Sequence, residues 1–179
     1  MGRYLAGIDL GTTNSAIAYI DTSTKSKFPE IKLHHVHQLN GPADFQPHAL
    51  LPSFLYLPGG TDLPEGSAAL PWDKSRSFIV GNFARSQGAK VPGRLVSSAK
   101  SWLCHPAIDR RQPCLPWRSA PEDRRVSPPS GWRISTGPDR AAPLAKTARH
   151  ETHDPGATSP AEDRHEQEHH RSRCRLHPG

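Results

Sequence analysis

The chain has 179 residues, a formal net charge of +6 and a hydrophobic fraction of 34%. This length suits one domain with a possible tail, but the hydrophobic fraction is low for a globular protein. No apolar run approaches the ~20 residues of a membrane span, and no signal peptide is visible, so we expect a cytoplasmic, soluble protein with no membrane partner. Acidic residues are mixed with the basic ones, and without a coherent basic patch we expect no nucleic-acid partner.

The first elements form a strand, a tight polar turn and a second strand. Residues 7–15 read GIDLGTTNS. The apolar run before them predicts a strand over residues 4–9, and the alternation after them predicts a strand over residues 15–21. The turn between, residues 10–14, is not a Walker loop, which needs G-x-x-x-x-G-K-[ST] opening a helix.

The residue types of this turn suit phosphate. Gly11 lets the backbone approach a ligand closely, and successive N–H groups in such a turn can form an anion-binding nest. Thr12 and Thr13 add hydroxyl donors, and Asn14 adds an amide. Asp9 would repel phosphate directly but can face a hydrated Mg²⁺ that bridges phosphates. The alternative is an ordinary β-hairpin, because Gly, Thr and Asn are common in turns.

The later elements are predicted from apolar patterning and breakers. We expect a strand over residues 30–39, then a loop from 41 to 72 that carries a short strand near 53–57. A strand near residues 77–80 and a helix over 81–89 follow. A second helix is expected over 95–103, with Pro92 and Gly93 before it and Pro106 after it.

The string GIDLGTTNS closely resembles the first phosphate loop of the actin-like ATPase superfamily, in particular that of the DnaK-type heat-shock chaperone family. Further segments are similar to the same family. LPSFLY at residues 51–56 resembles its T-P-S segment, and FIVG at residues 78–81 with Ala84 resembles its V-G-x-x-A junction. VSSAKSWL at residues 96–103 resembles a family helix, and there Lys100 aligns with the catalytic lysine.

The resemblance implies an α/β fold, part of a ribonuclease-H-like lobe, and an ATP-dependent molecular chaperone acting on unfolded polypeptide clients with co-chaperones. It implies ATP and Mg²⁺ as cofactors: Asp9 at the metal, the turn residues Gly11 to Asn14 at the β- and γ-phosphates, and Lys100 stabilising charge at the γ-phosphate. The alternative for Lys100 is a solvated helix lysine. The alternative function is a sugar-kinase-like phosphotransferase fragment of the same superfamily.

The composition changes near residue 117. Downstream, residues 118–179 hold ten Arg, eight Pro and six His, but only four aliphatic residues and Trp132. Such a segment buries too little apolar surface to offset its ordering entropy. We therefore predict residues 1–117 as the N-terminal part of an actin-like ATPase nucleotide-binding domain, and residues 118–179 as a disordered tail. The excess of Arg over Lys in this tail also motivates the hypothesis that it is translated out of frame.

Several features of the sequence argue against enzymatic activity of this chain by itself. The sequence contains no second phosphate loop of the D-x-G-G-[GS]-T type and no adenosine-binding G-G-x-x-R/K stretch. A truncated, non-enzymatic product is therefore a further interpretation, and we expect weak ATP binding at most. Residues 165–169 match H-E-x-x-H, but their polar flanks favour chance over a zinc protease. The histidines at 34, 35 and 37 are expected to be exposed on a strand, and the three cysteines indicate neither a disulfide framework nor a zinc ribbon.

Overall fold

The computed structural model describes residues 2–136, and these form helices and small antiparallel sheets. The strands are β1 (Tyr4–Leu10), β2 (Asn14–Asp21), β3 (Lys32–His34), β4 (Val36–Gly41), β5 (Asp44–His48), β6 (Leu51–Pro52), β7 (Leu55–Tyr56), β8 (Ile79–Val80) and β9 (Leu95–Val96). The helices are α1 (Asn82–Lys90), α2 (Ala99–Trp102) and α3 (Pro128–Thr136). The longest helices have nine residues, and no helix in this part of the chain could cross a membrane.

The first sheet is built on the β1–β2 hairpin. β2 pairs with β1 over its whole length, with Gly7 opposite Ala18 and Leu10 opposite Ser15. β3 and β6 also pair with β2, antiparallel in both cases. β1 is exposed on both faces, although its residues are mainly apolar. The hairpin therefore projects from the core, and its turn lies beside β6.

Two hydrophobic clusters meet at β7. Successive side chains of a strand point to opposite faces, and Tyr56 and Leu55 accordingly enter different clusters, each fully buried. The first cluster packs α1 against β4, β7 and β8, and its buried members are Leu39, Tyr56, Ala68, Leu70, Ile79, Phe83 and Ala84. The second lies under β9, α2 and α3, and its buried members are Leu55, Leu57, Val96, Ala99 and Leu115.

Residues 118–136 are folded, which corrects the predicted start of the disordered tail at residue 118. Val126 pairs with Leu115 in an isolated bridge, and α3 brings Trp132 and Ile134 onto the second cluster. This segment contributes few apolar side chains, and they pack against a cluster whose buried members, including Leu55 and Val96, come from earlier in the chain. The remaining residues of the predicted tail, 137–179, lie outside the described residues.

A polar network links residues 118–136 to the core. Asp62 Oδ2 accepts hydrogen bonds from Arg94 Nη1 at 2.7 Å, the Tyr56 hydroxyl at 2.7 Å and Gly59 N at 3.0 Å. Arg94 Nη2 also lies 3.3 Å from Asp123 Oδ1. Burial alone would raise the pKa of Asp62, but the bonds from Gly59 and Tyr56 and the charge of Arg94 lower it below its usual range. Burial, with the bond to Asp62 second, raises the pKa of Tyr56.

The predicted α/β class is confirmed at the level of mixed helices and antiparallel sheets, with several local differences. The strand predicted over residues 30–39 is two strands, β3 and β4, separated at His35. The loop predicted from residue 41 to 72 contains β5, which pairs with β4. The helix predicted over residues 95–103 begins as strand β9 and becomes helical only at Ala99, because Ser98 has a left-handed backbone with φ 52°.

Candidate functional site

The predicted phosphate turn is the tip of the β1–β2 hairpin. The strands extend to Leu10 and from Asn14, so the turn itself is shorter than predicted. Gly11 N donates to Asn14 O at 3.0 Å and closes it. A Cβ atom on Gly11 would overlap the carbonyl oxygen of Asn14. Glycine is therefore required here by the close approach of the turn's own backbone; its predicted approach to a ligand stays a prediction.

Ser53 forms two hydrogen bonds to the backbone of the turn. Its N–H donates to Thr13 O at 2.8 Å, and its hydroxyl donates to Gly11 O at 3.0 Å. Ser53 is buried, and it directly follows β6, which pairs with Asn14 and Ser15. The sequence alone predicted no role for this serine. The signal that could have found it was the LPS segment at residues 51–53, which resembles the chaperone family's T-P-S.

The top of the turn carries unused donors. Thr12 is half-buried and Thr13 is exposed. The backbone N–H groups and hydroxyl groups of both residues donate to no group among residues 2–136. Two adjacent amides and two hydroxyls at one exposed tip are the groups that bind a phosphate oxygen. The same donors are available to water, so phosphate binding at this turn stays a prediction.

Lys100 reaches this turn from a distant part of the sequence. Its Nζ donates to Leu10 O at 2.8 Å. The neighbouring Ala99 is buried in the second cluster, which fixes the start of α2. The left-handed backbone of Ser98 turns the chain from β9 into α2 just before the lysine. An ammonium group therefore lies at the end of β1, next to the residues predicted to bind phosphate.

Asp9 stands one residue before the turn, with its side chain exposed. In the strand register it lies opposite Ala16, so no second carboxylate faces it across the hairpin. Among the described residues, no three His, Cys, Asp or Glu side chains gather closely enough to hold a metal ion. A single carboxylate suits Mg²⁺ that keeps most of its water, which is the role predicted for Asp9.

Beneath the hairpin lies a small cavity of a different character. Its lining is almost wholly apolar and consists of Ile8, Leu10, Ser15, Ile17, Val36, Leu51 and Thr136. The Ser15 hydroxyl is buried there and forms no hydrogen bond. A phosphate group would lose its hydration in this cavity without gaining charged partners. The cavity is therefore no part of the phosphate site.

The other motifs of the sequence do not add to the site. The H-E-x-x-H match at residues 165–169 lies outside the described residues. His34 is half-buried at the end of β3, while His35 and His37 are exposed. Cys104 and Cys114 are free thiols, and burial raises the pKa of the Cys114 thiol.

Comparison of the chain with models of protein families, with curated proteins and with solved structures finds no match.

Proposed function

We propose that this chain supplies one side of an ATP phosphate site, as the N-terminal part of an actin-like ATPase nucleotide-binding domain of the heat-shock chaperone type. The observation that carries the proposal is the hydrogen bond from Lys100 to Leu10 O at 2.8 Å. The two groups are separated by 90 residues, and the same family resemblance assigned both of them to one phosphate site. Lys100 is exposed, and this bond holds its ammonium group beside the turn.

In this proposal each residue has a defined task. The amides and hydroxyls of Thr12 and Thr13 bind phosphate oxygens, and Gly11 allows the close approach. Asp9 holds Mg²⁺ through its water shell, and the metal neutralises phosphate charge. Lys100 exchanges its bond to Leu10 O for a phosphate oxygen and stabilises negative charge there. Clients, co-chaperones, a cytoplasmic location and the ribonuclease-H-like topology belong to the proposal through the family resemblance alone.

A one-sided site should bind Mg·ATP only weakly. The turn and Lys100 offer few contacts, and the sequence has no second phosphate loop or adenosine motif. We therefore expect binding of Mg·ATP by the 179-residue chain in the millimolar range, equivalent to about −4 kcal/mol. The sugar-kinase alternative has no observation in its favour, since no sugar pocket is apparent among the described residues.

The direct test is an NMR titration of the labelled chain with Mg·ATP. We expect shift changes at Gly11, Thr12 and Thr13 that saturate at roughly 10 mM ligand. Thr13→Val should abolish them, while Thr61→Val, which removes an exposed hydroxyl elsewhere, should leave them intact. Lys100→Ala should weaken binding, and Lys90→Ala at the exposed end of α1 should not.

Two results would overturn this proposal. If the turn resonances do not move, or move equally in the Thr13 and Thr61 variants, the turn is an ordinary hairpin. If calorimetry finds micromolar binding with turnover, the site is complete within these residues and the proposed one-sided site is wrong.

A further inference from the structure

β1 is an edge strand with an open side. It pairs with β2, and no other segment within residues 2–136 pairs with it. The hydrogen bonds from Thr22 N to Arg3 O at 2.8 Å and from Gly11 N to Asn14 O at 3.0 Å show that odd-numbered residues of β1 face β2. Successive residues of an antiparallel strand direct their backbone N–H and C=O groups alternately toward and away from the partner strand. The N–H and C=O groups of Tyr4, Ala6 and Ile8 therefore point away from β2, toward the open edge.

This edge lacks the usual protection. Natural edge strands carry proline, charged side chains (lysine above all) or a bulge that prevents pairing with another chain, but β1 reads YLAGIDL, is regular over seven residues and has Asp9 as its one charged residue. Three large side chains are exposed on it: Leu5 at 63%, Ile8 at 61% and Tyr4 at 41%. The open stretch ends at Leu10, whose carbonyl is taken by Lys100. Among residues 2–136, therefore, nothing occupies the outer edge of residues 3–9, where a further strand could pair.

We propose that β1 pairs antiparallel with β1 of a second copy of this chain, with Ala6 at the twofold axis. In this register Tyr4 of each copy lies opposite Ile8 of the other, and the two Ala6 residues lie opposite each other. These are the residues whose backbone groups point away from β2. The pairing joins the two hairpins into one continuous sheet across the dimer.

Complementary charges on β1 favour a second copy of this chain as the partner, and they favour this register over its neighbours. With Ala6 opposite Ala6, Arg3 of each copy lies opposite Asp9 of the other, so two ion pairs form. Shifting by one hydrogen-bonded step in either direction places Arg3 opposite a glycine, at position 7 or 11. Arg3 already bonds Asp21 through Nε and Nη2, and its side chain is 62% exposed. Opposite charges directly across a strand pair are favourable, as are aromatic and β-branched neighbours.

The apolar side chains support the same arrangement. Tyr4 and Ile8 form an aromatic and β-branched pair across the new edge, and Leu5 lies beside Gly7, which leaves room for it. The inference does not depend on the proposed function. It does place Asp9 in the dimer contact, so Mg²⁺ and the second copy would compete for this carboxylate.

The first test uses complementary charge variants of the full chain, Arg3→Glu and Asp9→Arg, in sedimentation equilibrium and native mass spectrometry. The unaltered chain should be a concentration-dependent dimer. Each variant alone places like charges opposite each other twice, and its dimer dissociation constant should rise at least about tenfold. An equimolar mixture restores both ion pairs, so heterodimers should form with nearly the original affinity. Because unfolded variants could not be rescued by mixing, recovery also shows that both are folded.

The second test blocks the backbone edge. Ala6→Pro removes an outward N–H without removing a bond to β2, and proline is tolerated in edge strands on the solvent side. It should abolish the dimer, whereas Ala6→Thr, which keeps the N–H, should preserve it. Any of three outcomes would overturn the proposal: a monomer at all concentrations, no heterodimer in the mixture, or open-ended aggregates instead of a dimer. Equal behaviour of the two Ala6 variants would do so as well.

Discussion

The substitution Asp62→Ala tests whether the network that anchors residues 118–126 exists in the folded chain. Three donors converge on Asp62 Oδ2, from Arg94 and Tyr56 at 2.7 Å and from Gly59 at 3.0 Å. Hydrogen bonds to a charged group contribute about 1.5–3 kcal/mol, and a buried donor left without a partner costs about 1–3 kcal/mol. The Tyr56 hydroxyl would be such a donor, since the residue is fully buried.

These contributions overlap, so they cannot be added in full. The side chains of Asp62 and Arg94 are 12% and 22% exposed, and Arg94 keeps its contact with Asp123 at 3.3 Å. We expect Asp62→Ala to lower the free energy of unfolding by about 3 kcal/mol. In a domain of this size that corresponds to a fall of roughly 10 °C in Tm.

Urea unfolding followed by tryptophan fluorescence measures this change. Asp44→Ala is the matched control, because Asp44 is an exposed aspartate with one long bond to Gln46. Combining Asp62→Ala with Asp123→Ala should give a non-additive effect above about 0.5 kcal/mol, since both carboxylates share one guanidinium. If Asp62→Ala costs no more than the Asp44 control, the network is not formed and the reasoning fails.

Three further predictions follow from named contacts. Gly59→Ala should cost about 1–3 kcal/mol of unfolding free energy in urea titrations, because its Cβ would displace the Arg94 guanidinium from its hydrogen bond to Asp62; Gly60→Ala, with open space at the Cβ, should cost under about 1 kcal/mol. Gly11→Ala should remove the Mg·ATP-induced NMR shifts, because its Cβ would overlap a carbonyl across the turn; unchanged shifts would contradict the assigned turn geometry. The lowered pKa of Asp62 stabilises the fold above the unfolded value of ~3.9, and this stability is lost as pH falls through the folded pKa. The cost of Asp62→Asn in urea unfolding should therefore be full near pH ~6 and shrink below pH ~4; a cost that does not vary with pH would exclude this linkage.

The local elements of the first half of the chain were predictable because each is specified by its own residues. An apolar run predicted β1 and alternation predicted β2, each within one residue of its observed end, and Gly11 marked the turn between them. The helix predicted over residues 81–89 is observed as α1, Asn82–Lys90. The β4–β5 hairpin was missed, because Pro47 and the glycine and proline signals between 41 and 72 favour a loop in any local reading.

α3 shows why composition misled the prediction downstream of residue 117. Its segment begins with Pro128 and Pro129 and includes Gly131, which are poor helix formers in an interior. In the fold the prolines occupy the first turn, where they are tolerated. Gly131 is buried, and its Cα lies close enough to Val126 and Val96 that an added Cβ would meet them at 3.3–3.4 Å. The small residue lets the helix approach a core that other segments supply.

The sequence by itself determined the hairpin, its glycine turn and the residue types that suit phosphate, because these depend on neighbours in the chain. Only the tertiary structure brought Lys100 to Leu10 and Ser53 to Thr13 and Gly11, since those contacts join residues far apart in sequence. It also decided that residues 118–136 fold, and that β1 keeps an open edge. Burial depends on what the remaining elements place against a segment, and the segment's own composition cannot report it.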